Sequence, residues 1–251
     1  MTHKIVIIYQ SLLGIYGDAG NGKVLAKRLQ WRGEPAEVVT VEPGQPVPSD
    51  GLVYLLGGGE DWAQVAAVKA LSATEGDGLR TGLDRGAVLL AVCAGYQLCG
   101  RSFTVGDDEL VHPGLGLLDI ETRRGNERAV GEVLSTGTLP DGSTTTITGF
   151  ENHGGFTTLG SDATPFARIE IGVGNGTDGF DGAIQGRVLG TYPHGPLLPR
   201  NPELADGLLE WALGRKLEAL PKQVVNAEHE TLRAQRFQVV RTTKNRAEQT
   251  R

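Results

Sequence analysis

The sequence predicts an α/β protein with an open, mostly parallel sheet flanked by helices and antiparallel strands at one edge. Three observations carry this. The continuously apolar runs KIVIIY (4–9), LVYLL (52–56) and AVLLAV (87–92) read as strands buried on both faces. Segments with apolar residues at helical spacing lie between and after them, which is the β-α-β order of a parallel sheet. After His112 the pattern changes to short alternating runs broken by turn residues, as in VLSTGTLPDGSTTTITGFENHGG, and this suits antiparallel hairpins.

Along the chain, VLAKRLQW (24–31) reads as the first helix, and Val38, Val39 and Val41 mark the next strand. A second helix is expected over 62–71. The run at 87–92 leads into a helix that holds Tyr96, Leu98 and Cys99. Further on, VLGTY (188–192) is a strand that ends at Pro193 and His194. Residues 201–217 form a helix with Pro202 in its first turn, where a missing N–H costs nothing. From Pro221 the chain turns polar and charged, so residues 215–251 are expected to be a basic helical arm, packed weakly on a domain that spans 1–214.

Composition narrows the function classes. With 251 residues, 39% hydrophobic and 22% charged, the chain can bury an ordinary core. Two cysteines cannot build a disulfide framework, and the apolar stretch near the N-terminus is too short for a secretory signal or a membrane span. These features suit a reducing cytosol. A net charge of -6 argues against bulk nucleic-acid binding. From residue 215 onward there are nine basic and four acidic side chains, against fifteen and twenty-six before it, so a basic tail follows an acidic body.

The segment LLAVCAGYQLCG (89–100) places Cys93 at the end of a buried strand, just before a helix. Ligands of open parallel sheets bind at that edge. A helix N-terminus favours the thiolate form of a cysteine, and the N–H of Ala94 is placed to face a developing oxyanion. Small residues at Ala91 and Gly95 permit the sharp turn of a nucleophile elbow. The alternative is a buried core cysteine, which is the reading given to Cys99.

A thiolate nucleophile needs a histidine as base and proton donor. His3, His112 and His229 read as surface or structural. His194 ends a strand of the same sheet and is favoured; His153, in FENHGG, is the second candidate. GDAGNGK (17–23) fits a phosphate-binding loop, but Val24 stands where magnesium ligation needs Ser or Thr, so at most an anion site on glycine amides remains. In GVGNGTDGFDG (172–182), Asp178 and Asp181 fall short of a calcium site, and a surface hairpin is expected.

AVCAGYQLCG resembles the nucleophile segment of class I glutamine amidotransferases, in particular their cobyric acid synthase-like branch. LVYLLGGGEDWAQ is similar to that family's oxyanion strand and glycine loop. IYGDAGNGKVLAKRLQWRG, GFENHGG and TYPHGPLLPRNPELAD resemble, more narrowly, the glutaminase subunits of lipid II isoglutaminyl synthases. The resemblance spans about residues 4–210 and implies a flavodoxin-like fold.

It also implies that Cys93 is the nucleophile that takes L-glutamine to a thioester and that His194 is the general acid and base. It implies further that Arg128 holds the substrate and that Gly58 and Ala94 supply the oxyanion hole. The partner it implies is a MurT-like Mur ligase subunit, which would use ATP and magnesium to activate the D-glutamate of the lipid II stem peptide. No cofactor or metal is expected in this chain, nor membrane insertion, although the basic arm could reach an acidic partner surface or the inner membrane face.

One departure stands out. Class I enzymes usually carry a glutamate two residues after the histidine, and here that position is Pro196. The site therefore reads as a Cys/His dyad, with Glu151 or a backbone carbonyl as candidates to orient His194. Three other readings stay open: an amidotransferase subunit for another synthetase, a cysteine hydrolase of a different amide, and a non-catalytic regulatory subunit.

Overall fold

The computed structural model describes residues 2–106, 110–176, 178–224 and 227–249. In its first half, β1 (His3–Ile8) leads through α1 (Ala19–Gln30) to β2 (Ala36–Val41), and β3 (Val53–Leu56) is followed by α2 (Asp61–Ser72) and α3 (Asp77–Asp84). β4 (Val88–Val92) then enters the short α4 (Ala94–Leu98). Strands β5 (Ser102–Thr104), β6 (Val111–Pro113), β7 (Ile120–Thr138), β8 (Thr144–Leu159), β9 (Thr164–Ile171), β10 (Phe180–Gln185) and β11 (Val188–Thr191) follow. The chain ends in α5 (Leu197–Arg200), α6 (Pro202–Leu213) and α7 (Ala227–Gln249).

Among the described residues the strands form one sheet in the order β2-β1-β3-β4-β11-β10-β9-β7-β5-β6, with β8 paired to β7. From β2 to β11 every pairing is parallel, and the long β7–β8 hairpin, β9 and β10 extend this core antiparallel. β3, β4 and β11 are buried along their whole length, as strands covered on both faces must be. Side chains alternate across the pleat. Leu55 and Ile7 thus lie under Gly22 of α1, while Tyr54 and Leu56 lie against Gly82 of α3 and Gly95 of α4.

Three elements differ from the sequence reading. α1 begins at Ala19 rather than 24, because its glycines are contact points: a Cβ on Gly22 would come within 2.9 Å of Ile7, and one on Gly20 within 2.7 Å of Pro196. GDAGNGK is therefore a loop end and a helix packed tightly on its neighbours, not a phosphate cradle. α3 was not anticipated; its two glycines weaken the helical signal, and Gly82 is tolerated because it lies directly on the Tyr54 ring. α6 stops at Leu213, four residues short of 217, where Gly214 takes the left-handed conformation (φ 66°) of a C-terminal cap.

The arm is helical, and its basic side chains pair with the body of the same chain. Arg233 meets Glu203 (2.5 Å), Arg236 meets Glu132 (2.6 Å) and Arg241 meets Glu170 (2.9 Å), while Val240 is buried. Part of the charge expected to face a partner or membrane is thus matched internally. Residues 225, 226, 250 and 251 of the arm, and the side chain of His229, lie outside the described residues.

Candidate active site

Cys93 ends β4 and precedes the first turn of α4, with φ 51° and ψ −105°. A non-glycine residue reaches that region only at a cost and keeps it where the surroundings impose it. Here the neighbours are packed to fit: Ala91 sits between Leu56 and Gly190 on the adjoining strands, and a Cβ on Gly95 would come within 2.6 Å of the Leu56 carbonyl. The sequence segment AVCAG thus has small residues where the elbow needs them.

β11 runs parallel beside β4, and the Cys93 N–H donates to the Thr191 carbonyl at 2.9 Å. The chain leaving β11 three residues later carries His194 to the same edge. Its backbone is clamped to Phe150 of β8 by two hydrogen bonds, of 2.8 and 3.2 Å. The imidazole is 1% exposed. Its Nδ1 lies 3.3 Å from Asp18 Oδ2, and its Nε2 has no hydrogen-bond partner. Burial opposes a charge on the ring, but the neighbouring Cys93 thiol and the Asp18 carboxylate favour it, and together they push the His194 pKa up to about 10. Cys93 and Asp18 thus both favour the charged form of the His194 ring.

Asp18 is the orienting carboxylate that the sequence did not reveal. Its Oδ2 also accepts the Gly58 N–H at 2.7 Å, so one buried oxygen holds both the imidazole and the glycine loop. Two expectations are corrected by this contact. Glu151 does not orient His194: its carboxylate accepts the N–H groups of Val173 (2.8 Å) and Gly174 (2.9 Å) and lies 3.5 Å from His153 Nε2. The amide of Gly58 is engaged by Asp18, and it is Gly59 that lines the pocket beside Cys93. Gly58 is needed for a different reason, since a Cβ there would fall 2.4 Å from His194 Cε1. Ala94 begins α4, where a first-turn amide has no acceptor within its own helix.

Arg128 falls in the stretch between Arg124 and Ala129 where the β7–β8 register shifts, and such a bulge redirects side chains. It lines the same pocket as Cys93, together with Asn152 and His153, and its Nε donates to Asn152 Oδ1 at 2.7 Å. His153, the second histidine candidate, is stacked flat on Tyr192 (centroids 3.7 Å, 14°), and its Nδ1 faces the Gly155 carbonyl at 2.9 Å. It walls the pocket, while His194 is the ring whose pKa Cys93 raises. Cys99 is fully buried, and burial pushes its pKa up to about 12, so it is an inert core thiol.

The expected surface hairpin at 172–182 is tied into this wall. Asn175 accepts from the Tyr96 hydroxyl (3.2 Å) and from the Gly182 N–H (2.9 Å). Asp181 is buried and accepts from the Thr191 hydroxyl and the Tyr192 N–H, next to the end of β11. Burial pushes the Asp181 pKa up to about 6. Among the described residues no group of three His, Cys, Asp or Glu side chains is arranged to hold a metal ion.

This sheet, with a cysteine at the end of one strand and a histidine just beyond the end of the adjoining one, is the fold of the class I glutamine amidotransferases. The chain belongs to the CobB/CobQ-like glutamine amidotransferase domain family, whose profile matches residues 4–202.

Among its relatives is the protein named "Lipid II isoglutaminyl synthase (glutamine-hydrolyzing) subunit GatD" of Staphylococcus aureus, 33% identical over 229 residues, which are 89% of this chain and 91% of that protein. A cobyric acid synthase of Rhizorhabdus wittichii is 36% identical over 186 residues, 69% of this chain but only 34% of that protein. Of solved structures, PurLQS from Thermotoga maritima superposes with a TM-score of 0.56 at 16% identity, over 85% of this chain and 99% of that one, a likeness of fold.

Proposed function

We propose that this chain is the glutamine-hydrolysing subunit of a lipid II isoglutaminyl synthase, which releases ammonia from L-glutamine for a MurT-like ligase partner. The observation that carries the chemistry is Cys93, held at positive φ on a strand end, beside a buried His194 whose Nδ1 is occupied by Asp18. The 33% identity to the S. aureus subunit, which runs over 91% of that protein, supports this reading; the similarity to a cobyric acid synthase covers 34% of that protein.

The Cys93 thiolate adds to the side-chain amide carbon of glutamine, and amides near the Ala94 turn stabilise the resulting oxyanion. As the C–N bond breaks, His194 Nε2 gives its proton to the departing nitrogen; ammonia leaves and a thioester remains. The neutral imidazole then takes a proton from water, whose oxygen attacks the thioester and frees glutamate and the thiolate. Arg128 presents a guanidinium fork suited to the α-carboxylate. The partner would use ATP and magnesium to activate the D-glutamate carboxyl of the stem peptide, and ammonia would amidate it. No helix among the described residues is long and apolar enough to cross a membrane. The reading places the reaction in the cytoplasm, near the inner face of the membrane.

The test is ammonia release from L-glutamine by the purified chain and by Cys93→Ala, each with and without a co-expressed Mur-ligase-like partner. Release that the substitution abolishes supports the reading. No release under any condition would leave a regulatory subunit.

A further inference from the structure

The loop between β1 and α1 supplies Asp18, and it also carries Tyr16, which no step above uses. Tyr16 is a non-glycine residue at φ 60°, and its side chain is 43% exposed. Both parts of that side chain are nonetheless engaged. Its ring packs on the imidazole of His194, with centroids 4.7 Å apart and planes at 50°. Its hydroxyl accepts a hydrogen bond from Asn152 Nδ2 at 2.6 Å, and Asn152 Oδ1 accepts from Arg128 Nε at 2.7 Å. A continuous chain of contacts therefore runs from Arg128 on β7, through Asn152 on β8, to Tyr16 and the face of His194. Ile15, just before it, ties the loop to the Gly58 carbonyl (3.3 Å).

Strained backbone at a non-glycine residue persists only where its surroundings over-determine it. Burial does not account for Tyr16, because nearly half of it faces solvent. The π face of an aromatic ring near a cationic imidazole favours the charged form and shields it from water. Asp18 holds Nδ1 and the tilted Tyr16 ring packs against the imidazole, while Nε2 has no hydrogen-bond partner.

We propose that Tyr16 is a positioning residue for the reaction, one that couples occupancy of Arg128 to the placement of His194 through the Tyr16–Asn152 hydrogen bond. The inference rests on the reading that an amino-acid amide with a free α-carboxylate is the substrate. A ligand carboxylate on Arg128 draws on the same guanidinium that holds Asn152, and the change reaches the loop carrying Tyr16 and Asp18. An amide without a carboxylate leaves this chain of contacts as it is.

Two substitutions separate the ring from the hydroxyl, and two readouts separate this inference from the glutaminase reading. The readouts are steady-state ammonia release from L-glutamine by the full chain, and the rate of Cys93 alkylation by iodoacetamide across pH 5–10, followed by intact mass. In Tyr16→Phe the ring stays but the link to Asn152 is cut, so the alkylation profile without substrate should remain near wild type while kcat/KM for L-glutamine falls about tenfold, the loss of one hydrogen bond. Asn152→Ala removes the same hydrogen bond from the β8 side and should lower kcat/KM in the same way. In Tyr16→Ala kcat should fall about tenfold or more, and the alkylation profile should move as the imidazolium loses its cover. Recovery of the alkylation profile in Phe over Ala is the rescue that general loosening of the loop would not give.

Wild-type kcat and an unmoved alkylation profile in Tyr16→Ala would overturn the proposal, as would Phe and Ala variants alike in every parameter. If the wild type releases no ammonia but Tyr16→Ala still moves the alkylation profile, the glutaminase reading fails while the placement of His194 by Tyr16 stands.

Discussion

Replacing Asp18 tests whether a carboxylate 176 positions from His194 in sequence completes the site. One oxygen, Oδ2, accepts both the His194 Nδ1 proton (3.3 Å) and the Gly58 N–H (2.7 Å). Asn in place of Asp can keep an oxygen at that point, so Asp18→Asn removes the charge and spares the geometry, whereas Asp18→Ala removes both contacts. Charge-assisted hydrogen bonds are about twice as strong as neutral ones, so the lost charge is worth about 1–1.5 kcal/mol, a fall of about tenfold in kcat/KM. Full removal should cost about 1.5–3 kcal/mol, or roughly 10- to 150-fold, plus the unpaired Gly58 amide.

The pH dependence supplies the sign. Burial lowers the His194 pKa, but Cys93 and Asp18 raise it to about 10. The imidazolium is the proton donor to the departing nitrogen, so activity falls as pH rises through that pKa. Without the Asp18 charge, this alkaline limb should move toward neutral pH. The assay is ammonia release by wild type and both variants over pH 6–10.5. An unchanged alkaline limb in Asp18→Asn, with kcat/KM within twofold of wild type, would sink the argument.

Four further outcomes follow from the geometry. Iodoacetamide should modify Cys93 alone, with protection by L-glutamine, because burial holds Cys99 as the thiol with a pKa of about 12; modification of both cysteines in the folded chain would contradict this. Arg128→Lys should raise KM for glutamine about tenfold or more, since an ammonium cannot reproduce the planar fork, and titration with the substrate reads it directly. Gly58→Ala should displace His194, whose Cε1 would lie 2.4 Å from the new Cβ, and lose activity while far-UV circular dichroism stays native. Burial raises the Asp181 pKa from 3.8 to about 6, so the folded chain keeps a proton there that the unfolded chain has released; stability should decline as pH rises from about 4 to 6, and Asp181→Asn should flatten that decline in thermal melts.

What could be read from the sequence was whatever depends on a short stretch of chain. Cys93 announces itself by the apolar run before it and the small residues around it. His194 does so by ending a strand that had to lie in the same sheet. Asp18 gave no such signal, because its role is set by a loop that crosses to the far end of the chain, and because its glycine-rich surroundings imitate a phosphate loop. Those glycines answer to packing: Gly20 meets Pro196 and Gly22 meets Ile7, contacts made by residues remote in sequence. Arg128 was reachable only by resemblance, since a bulge in a strand has no local signature that separates it from a solvated loop. Nothing local decided whether Glu151 orients His194, and the N–H groups of Val173 and Gly174 engage its carboxylate instead.

The site divides along the same line as the sheet. The parallel core supplies the reacting groups: Cys93 from the end of β4, His194 beyond β11, and Asp18 from the loop leaving β1. These are strand-end positions that an open parallel sheet offers for chemistry. The antiparallel extension supplies Arg128, Asn152 and His153, which wall the pocket but are not disposed to react. A change in substrate can therefore be made on β7 and β8 without disturbing Cys93 and His194, except through contacts that cross between the two halves. The Phe150–His194 backbone pair and the Tyr16–Asn152 hydrogen bond are two such crossings. The first is indifferent to side chain and holds the strands in place. The second depends on a hydroxyl and an amide, which makes it the contact through which substrate selection and catalysis can be tuned together.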